Sequence, residues 1–401
     1  MGKNRYTAGR LTILLVAALV LAGTIAQPAG AQDINEAVTV EDLGFTQWLN
    51  IGGRPSGMAG AYVAAGDDAH SLFYNPAGLA RVRRIDVSLG FQHTQSAVDE
   101  IYYSNPNGTE FSNSTLDGLS AAYPVPSYRG SLVIAGGVYR VMSSQFDILN
   151  RGANTTTETY DDYLLQQEGN VYSYMAGFGI DLSPNVSIGV TGFIMDGTIT
   201  ALTQFSYSFL DPVDEGQLEA EWLSDDAEVD LNGYGMSVGL QYHPHSAIHF
   251  GLAVATPVKI NLEGIAYQER AEYYANSEGD YYSDQFYIDS DYKLPLRVAA
   301  GMSITPPHLV LGIDAEYCDW RQTESNGVQL KDENLNSVFR EVVNIRLGAE
   351  VLLPVIPARV RAGYAMIPYA LEYLQADRIS GTEITKADID SIKLPPYLRI
   401  P

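Results

Sequence analysis

Few residues in this chain are grouped as chemistry would require. His243, His245 and His249 fall close together, and imidazole nitrogens ligate transition metals. They straddle a proline turn, and no carboxylate stands at ligand spacing, so polar residues on a rim explain them better than a metal site does. Ser71 follows His70 and Asp67-Asp68, which are the residue types of a hydrolytic triad. One short segment supplies all of them and no nucleophile elbow is present, so lipid hydrolysis is only a minor alternative. Gly52-Gly53, Gly57 and Gly60 have the look of a phosphate loop, but no strand-to-helix context and no Gly-Lys-Ser/Thr follows. Residues 199–233 hold nine carboxylates and no Lys or Arg. Hard cations bind such oxygens and would bridge them to an anionic surface glycolipid, yet no spacing matches a calcium loop, and a solvated acidic loop is the simpler reading. Cys318 is the single cysteine, which excludes an internal disulfide framework and a multi-cysteine zinc site. The expectation is a chain that is not an enzyme and carries no cofactor and no metal.

The bulk properties point to the cell envelope. Residues 1–31 read as a secretory signal: Lys3, Arg5 and Arg10 precede an apolar run from Leu11 to Ala22, and Ala29-Gly30-Ala31 fits a small-x-small cleavage site. Removing those three cations takes the net charge from −24 to −27, which argues against a nucleic-acid partner. No later segment is apolar for long enough to form a membrane-spanning helix. The 27 tyrosines and 37 glycines suit an outer-membrane barrel, whose aromatic rings gather at both membrane interfaces. Three Asn-x-Ser/Thr triplets, at Asn107, Asn113 and Asn154, arise easily by chance in such polar stretches.

From Ile85 onward, period-2 segments come in pairs. Tight turns, usually with proline, join the members of a pair, and long acidic stretches join one pair to the next. Eleven strands are expected, at 85–94, 117–125, 130–142, 171–182, 186–198, 234–243, 247–258, 295–305, 308–319, 342–353 and 358–368. In the first, Ile85, Val87, Leu89 and Phe91 would face lipid, and Asp86, Ser88, Gly90 and Gln92 the lumen. A soluble β-sandwich alternates in the same way, but the export signal and the asymmetric connections favour a transmembrane barrel with short periplasmic turns and long outer loops. The longest loops are expected at 199–233 and 259–294, followed by 143–170. A bacterial barrel normally closes with an even strand count, and this chain ends in Pro401, so the sequence is expected to be C-terminally incomplete.

Before those strands lies Gly52 to Ala80, in which fifteen of 29 residues are Gly, Ala or Ser. Side chains this small bury too little apolar area to form a core of their own. Such a segment packs inside something else, and residues 32–84 are expected to plug the barrel formed by 85–401.

The motifs of this segment, Gly53, Gly57-Met58-Ala59-Gly60-Ala61, Val63-Ala64, Asp67-Asp68-Ala69 and Asn75-Pro76-Ala77-Gly78, resemble the N-terminal signature of the FadL/TodX family of outer-membrane transporters for long-chain fatty acids and other hydrophobic compounds. The resemblance implies an all-β fold, an antiparallel transmembrane barrel of fourteen strands with an N-terminal hatch in its lumen, working as a monomer in the bacterial outer membrane. It implies passive uptake of a hydrophobic small molecule, collected by the third and fourth outer loops and released sideways into lipid through a gap beside a kinked third strand. Asn75, Pro76, Ala77 and Gly78 would shape the hatch. Gly136-Gly137, in the middle of the third strand, are candidates for the kink, although small residues fitting against the hatch would look the same. A PorV-like branch, whose members partner a protein-secretion apparatus, resembles the same N-terminal region.

Overall fold

A computed structural model describes residues 51–370, apart from 103–104, 129, 155–157, 211–216, 330–336, 338, 354–357 and 369. The expected signal peptide, the first part of the expected hatch and the stretch after 370 lie outside the described residues.

Among the described residues, one antiparallel sheet holds fifteen strands. They are β1 (Asp86–Tyr102), β2 (Asn105–Val125), β3 (Leu132–Asn154), β4 (Thr159–Ser183), β5 (Val186–Phe209), β6 (Leu218–His245), β7 (Ile248–Ala255), β8 (Val258–Tyr274), β9 (Asp280–Leu294), β10 (Arg297–Ile304), β11 (Leu309–Asp319), β12 (Glu324–Ser325), β13 (Val328–Gln329), β14 (Glu341–Leu352) and β15 (Arg359–Met366). The wall runs β1-β2-β3-β4-β5-β6-β7-β10-β11-β14-β15, and these eleven strands are the eleven expected segments. The sheet does not close among the described residues, where β1 pairs with β2 and β15 with β14. No described helix is long and apolar enough to cross a membrane.

Alternation sets the two faces of the wall. Val87, Leu89 and Phe91 point outward and are exposed, as do Val238, Leu240, Ile313, Leu347 and Val360 on later strands. The apolar band ends at an in-register row of Tyr174, Ile194 and Tyr234; one row beyond, Asp196 pairs with Asn232. At its other edge Tyr242 stacks on Phe250 with ring centroids 6.5 Å apart. An apolar belt bordered by aromatic rings is what a lipid-facing barrel wall presents.

The expected long loops are mostly strand. β4, β5 and β6 continue past the row of Tyr174, Ile194 and Tyr234 with unbroken pairing, from Tyr172↔Asp196 to Thr159↔Phe209 and from Asp196↔Asn232 to Ser208↔Ala220. β5 thus extends about a dozen residues, roughly 40 Å, beyond the belt. Ile199, Leu223, Val229 and Leu231 on the inward face of this extension keep the alternation, and acidic residues on its other face disguise it as loop. β6 pairs with β7 along the belt and with β8 above it. The last β7–β10 pair, Ala255↔Arg297, is followed by Val258↔Leu294 of β8 and β9, so each of these strands is one strand broken at a proline, Pro257 or Pro295. Proline cannot donate to the ladder, and both breaks fall at the top of the belt.

Candidate functional site

The segment after Ile51 lies against the lumen face of the wall. It forms one turn of helix, α1 (Gly53–Gly57), another, α2 (Ser71–Tyr74), and a 3-10 helix (Pro76–Arg81). Met58, Tyr62, Leu72 and Leu79 are fully buried, and Leu72 and Leu79 share one apolar cluster with the wall residues Val133, Tyr139 and Phe193. The small-residue stretch takes its core from the wall, as its composition requires.

Asn75 joins this segment, the described part of the expected hatch, to itself and to the wall. Its Oδ1 accepts from Ala77 N at 3.1 Å and caps the 3-10 helix, whose first residue is Pro76. Its Nδ2 donates to Val63 O at 2.7 Å and to Leu240 O of β6 at 3.2 Å. Pro76, Ala77 and Gly78 are buried beside it. Gly78 is required by close approach, because a Cβ there would stand 2.6 Å from Gly66 O and 2.7 Å from Ser71 Oγ. Asn75→Ala leaves the Val63 carbonyl and the Ala77 amide without these partners. Denaturant unfolding in micelles is expected to show a loss of about 2–4 kcal/mol with the fold retained.

Wall carboxylates hold the backbone of the hatch. Asp314 of β11, 1 % exposed, accepts from Tyr62 N at 2.5 Å and Val63 N at 2.7 Å. Asp86 of β1 accepts from Ala69 N at 2.7 Å, and Asp117 of β2 from Gly52 N at 3.2 Å. Glu350 of β14 accepts from Arg54 Nε at 3.1 Å, and Arg359 and Arg361 of β15 bind the same carboxylate at 2.8 and 2.6 Å. Arg54 also reaches Asp67 at 2.5 Å and Asp68 at 3.2 Å, and the Tyr62 hydroxyl donates to Asp68 at 2.5 Å. Burial alone would push the Asp68 carboxyl up, but the His70 ring at 3.3 Å and the Arg54 charge outweigh it and hold Asp68 well below the usual carboxylate range. Burial would likewise lower Arg54, and the Tyr62 oxygen with the Asp67 and Asp68 carboxylates holds it above its ordinary value instead.

Glycines let the hatch approach this closely. Gly179, Gly189 and Gly239 lie opposite one another on β4, β5 and β6, and Gly312, Gly348 and Gly363 do the same on β11, β14 and β15. Both rows lie directly under hatch atoms. At Gly239 a Cβ would overlap Asn75 Oδ1. Sequence reading missed the wall carboxylates and glycines because each stands alone in its own strand. The available signal was glycine or aspartate recurring at lumen-facing positions of successive strands.

The third strand departs from regular pairing away from the two glycines. Gly136 and Gly137 sit within unbroken ladders, opposite Ala121 and Ser120 on β2 and Ala176 and Met175 on β4. The register shifts instead at Val141 of β3 and at Asp117 of β2. Between those two bulges the β2–β3 ladder stops, its last pair being Gly118↔Tyr139. Farther out, side-chain hydrogen bonds bridge the two strands: Asn107 bonds the Arg151 backbone at 3.0 and 3.1 Å, and Thr109 accepts from Leu149 N at 3.3 Å. The physical reason is that an extra residue in each strand turns Asp117 toward the hatch and buries Tyr139 to Met142 in succession.

The remaining groups of candidate residues are separated or used structurally. His70 Nε2 lies 3.0 Å from Ser88 Oγ on β1, whereas Ser71 Oγ is buried without a partner. His243 and His249 face each other, with their Nδ1 atoms 2.8 Å apart, while His245 Nδ1 accepts from Ala247 N. No group of three or more potential metal ligands occurs among the described residues. Of the nine carboxylates, Glu219, Glu221, Asp225, Asp226, Glu228 and Asp230 lie on β6, and Asp211, Asp214 and Glu215 fall outside the described residues. Cys318 is free and buried in β11.

In fold the chain is similar to solved hydrocarbon channels. The toluene transporter TodX of P. putida matches with a TM-score of 0.56 at 12% identity, over 81% of this chain and 86% of that one. A TodX monoaromatic hydrocarbon channel carrying the deltaS2 mutation matches with 0.51 at 11% identity, over 81% and 86%. The toluene transporter TbuX of Ralstonia pickettii gives 0.47 at 14% identity, over 79% and 86%. No protein of curated function matches the sequence. The FadL/TodX-like resemblance read from the hatch motifs is therefore the fold that the structure has. The BamG family model matches residues 52–355, hatch and wall together, and the chain belongs to the BamG family.

Proposed function

We propose that this protein is an outer-membrane channel for passive uptake of hydrophobic small molecules, gated by its N-terminal hatch. One observation carries the reading: a buried apolar cluster that continues from the hatch into the extension. Leu72 and Leu79 of the hatch, Tyr139, Phe193 and Met195 of the wall, and Val229, Leu231, Ile260 and Leu262 beyond it belong to one cluster. A polar solute gains nothing from such surroundings, whereas a long-chain fatty acid or an aromatic hydrocarbon is stabilised by about 25 cal/mol per Å² of apolar surface removed from water. The parting of β2 and β3 lies next to the hatch and offers a sideways exit into lipid. Arg140 crosses it, donating to Gln92 of β1 at 2.5 Å and to Asn170 of β4 at 3.4 Å. In this reading the short turns face the periplasm, the extension stands outside the cell, and the protein works as a monomer without a cofactor.

The test is uptake of labelled fatty acid and labelled toluene into vesicles containing the full chain. Uptake above that of protein-free vesicles is expected, and Asn75→Ala is expected to lower it. Uptake that the protein does not accelerate would refute the proposal.

A second reading, a PorV-like partner of a protein-secretion apparatus, is favoured by the extension itself. Tyr267, Tyr281, Tyr282 and Tyr287 are exposed on β8 and β9, and exposed tyrosine is common at protein interfaces. Stable co-purification with envelope proteins and an empty lumen would support it against the channel.

A further inference from the structure

The lipid-facing side of the wall is not evenly filled. Ala121, Gly136, Ala176 and Gly192 stand opposite one another on β2, β3, β4 and β5, a row of small residues across four strands. The row above it is large, with Val138, Tyr174 and Ile194 in register, and so is the row below, with Ile134, Phe178 and Val190. Between the two rims lies an apolar depression of about 880 Å³. Its floor spans three strand spacings, about 14 Å. The protein leaves this room unused: a Cβ on Gly192 would meet nothing within 4 Å, and one on Gly136 only Met175 O at 3.6 Å.

Arg140 follows Val138 by two residues on β3 and so belongs to the same face. It pairs with Tyr172, one row above the apolar belt, about 13 Å along the strand from Gly136. The residue is 3 % exposed. Its Nη1 donates to Asn170 Oδ1 at 3.4 Å and its Nη2 to Gln92 Oε1 at 2.5 Å, both neutral amides. Its Nε is buried without a partner, and among the described residues it makes no ion pair. Asp117, which the β2 bulge leaves over, is directed to the hatch, where its Oδ2 accepts from Gly52 N. A guanidinium taken out of water with neutral partners alone is costly, and an anion would offset that cost.

The Nε–H and Nη2–H of an arginine share one edge, so two oxygens of a single anion take them side-on. Gln92, the present partner of Nη2, is exposed and belongs to β1, so it can yield its place while Nη1 keeps Asn170. A lipid phosphate at this level lies where the head groups of a bilayer begin, and an acyl chain below it runs past Val138 into the depression. Free phosphate would use only the arginine, and a lipid without an anionic head only the depression.

We infer that Arg140 and the depression below it form a binding site for a phosphate-bearing lipid of the surrounding leaflet. The phosphate takes the Nε–Nη2 edge, and one acyl chain lies over Ala121, Gly136, Ala176 and Gly192. Neighbouring lipid tails are as apolar as this floor, so the chain is held there by van der Waals contact with the floor and its rims. The inference does not depend on what passes through the lumen.

The experiment is native mass spectrometry of the full chain in neutral detergent micelles. The chain is titrated with dimyristoyl phosphatidylglycerol, with dimyristoylglycerol, which lacks the phosphate, and with myristate, which carries a carboxylate instead. One phosphatidylglycerol per chain is expected to be retained at concentrations where the other two are lost. Arg140→Gln is expected to weaken that binding by about tenfold, as the loss of one charge-assisted contact implies, and to leave dimyristoylglycerol unaffected. Gly136→Leu combined with Gly192→Leu fills the depression and is expected to weaken phosphatidylglycerol binding with Arg140 intact; this variant serves if Arg140→Gln does not fold. Equal retention of phosphatidylglycerol and dimyristoylglycerol, tighter retention of myristate, or unchanged affinity in either folded variant would overturn the inference.

Discussion

Gly239→Val is expected to unseat the hatch. The new side chain would occupy the space of Asn75 Oδ1 and approach Ala77 N and Pro76 Cδ, which already lie 2.9 and 3.0 Å from where a Cβ would stand. β6 cannot retreat, because Gly239 is paired to Gly189 on one side and to Ala253 on the other. Forcing bulk into a filled site typically costs about 1–3 kcal/mol, and here the Asn75 hydrogen bonds to Val63 and Leu240 are lost as well, so about 3–5 kcal/mol is expected. Denaturant unfolding in micelles measures the loss, and protease cleavage within residues 59–67 reports a hatch that has left the wall. Gly192→Val, on the lipid-facing side of β5 where a Cβ meets nothing within 4 Å, is the matched control and is expected to change stability little. Equal effects of the two substitutions would refute the seating argument.

Asp314 carries the second large effect. Its carboxylate is the acceptor for two successive amides of the hatch, Tyr62 N and Val63 N, in a site 1 % exposed. Asp314→Leu leaves both amides buried without an acceptor, at about 1–3 kcal/mol each. A total loss of about 3–5 kcal/mol is expected, with most of it recovered in Asp314→Asn, which keeps an acceptor oxygen. Gly301 supports the same contact from β10, since a Cβ there would overlap Asp314 Oδ1. If Asp314→Leu unfolds at the same denaturant concentration as the parent chain, the carboxylate does not hold the hatch.

Individual residues show how far the sequence reached. The eleven wall strands were legible because a wall with lipid on one side and a lumen on the other needs strict alternation, and runs such as Ile85-Asp86-Val87-Ser88-Leu89 have it. The packing of 52–80 against the wall was legible for the opposite reason: Gly, Ala and Ser in that stretch cannot sustain a core. The extension was missed because Ile199, Leu223 and Val229 alternate with acidic and hydroxyl residues in stretches too polar to suggest buried strand. Gly136-Gly137 suggested a bend, yet glycine within a fully paired strand need not bend it. The bulges fall at Asp117 and Val141, where nothing local distinguishes the residue that the ladder leaves over. The carboxylate and glycine contacts join residues as far apart as Val63 and Asp314, so no local pattern could have paired them.

The paired breaks at Pro257 and Pro295 have a consequence for how such a chain changes over generations. A one-residue insertion in a strand normally flips every following side chain to the opposite face. Here the hairpin loses its ladder at the top of the belt on both strands, so a length change in β8 or β9 need not propagate into β7 or β10. The outer half can diversify while the lipid-facing half keeps its register, and inherited variation in length should concentrate between residues 258 and 294.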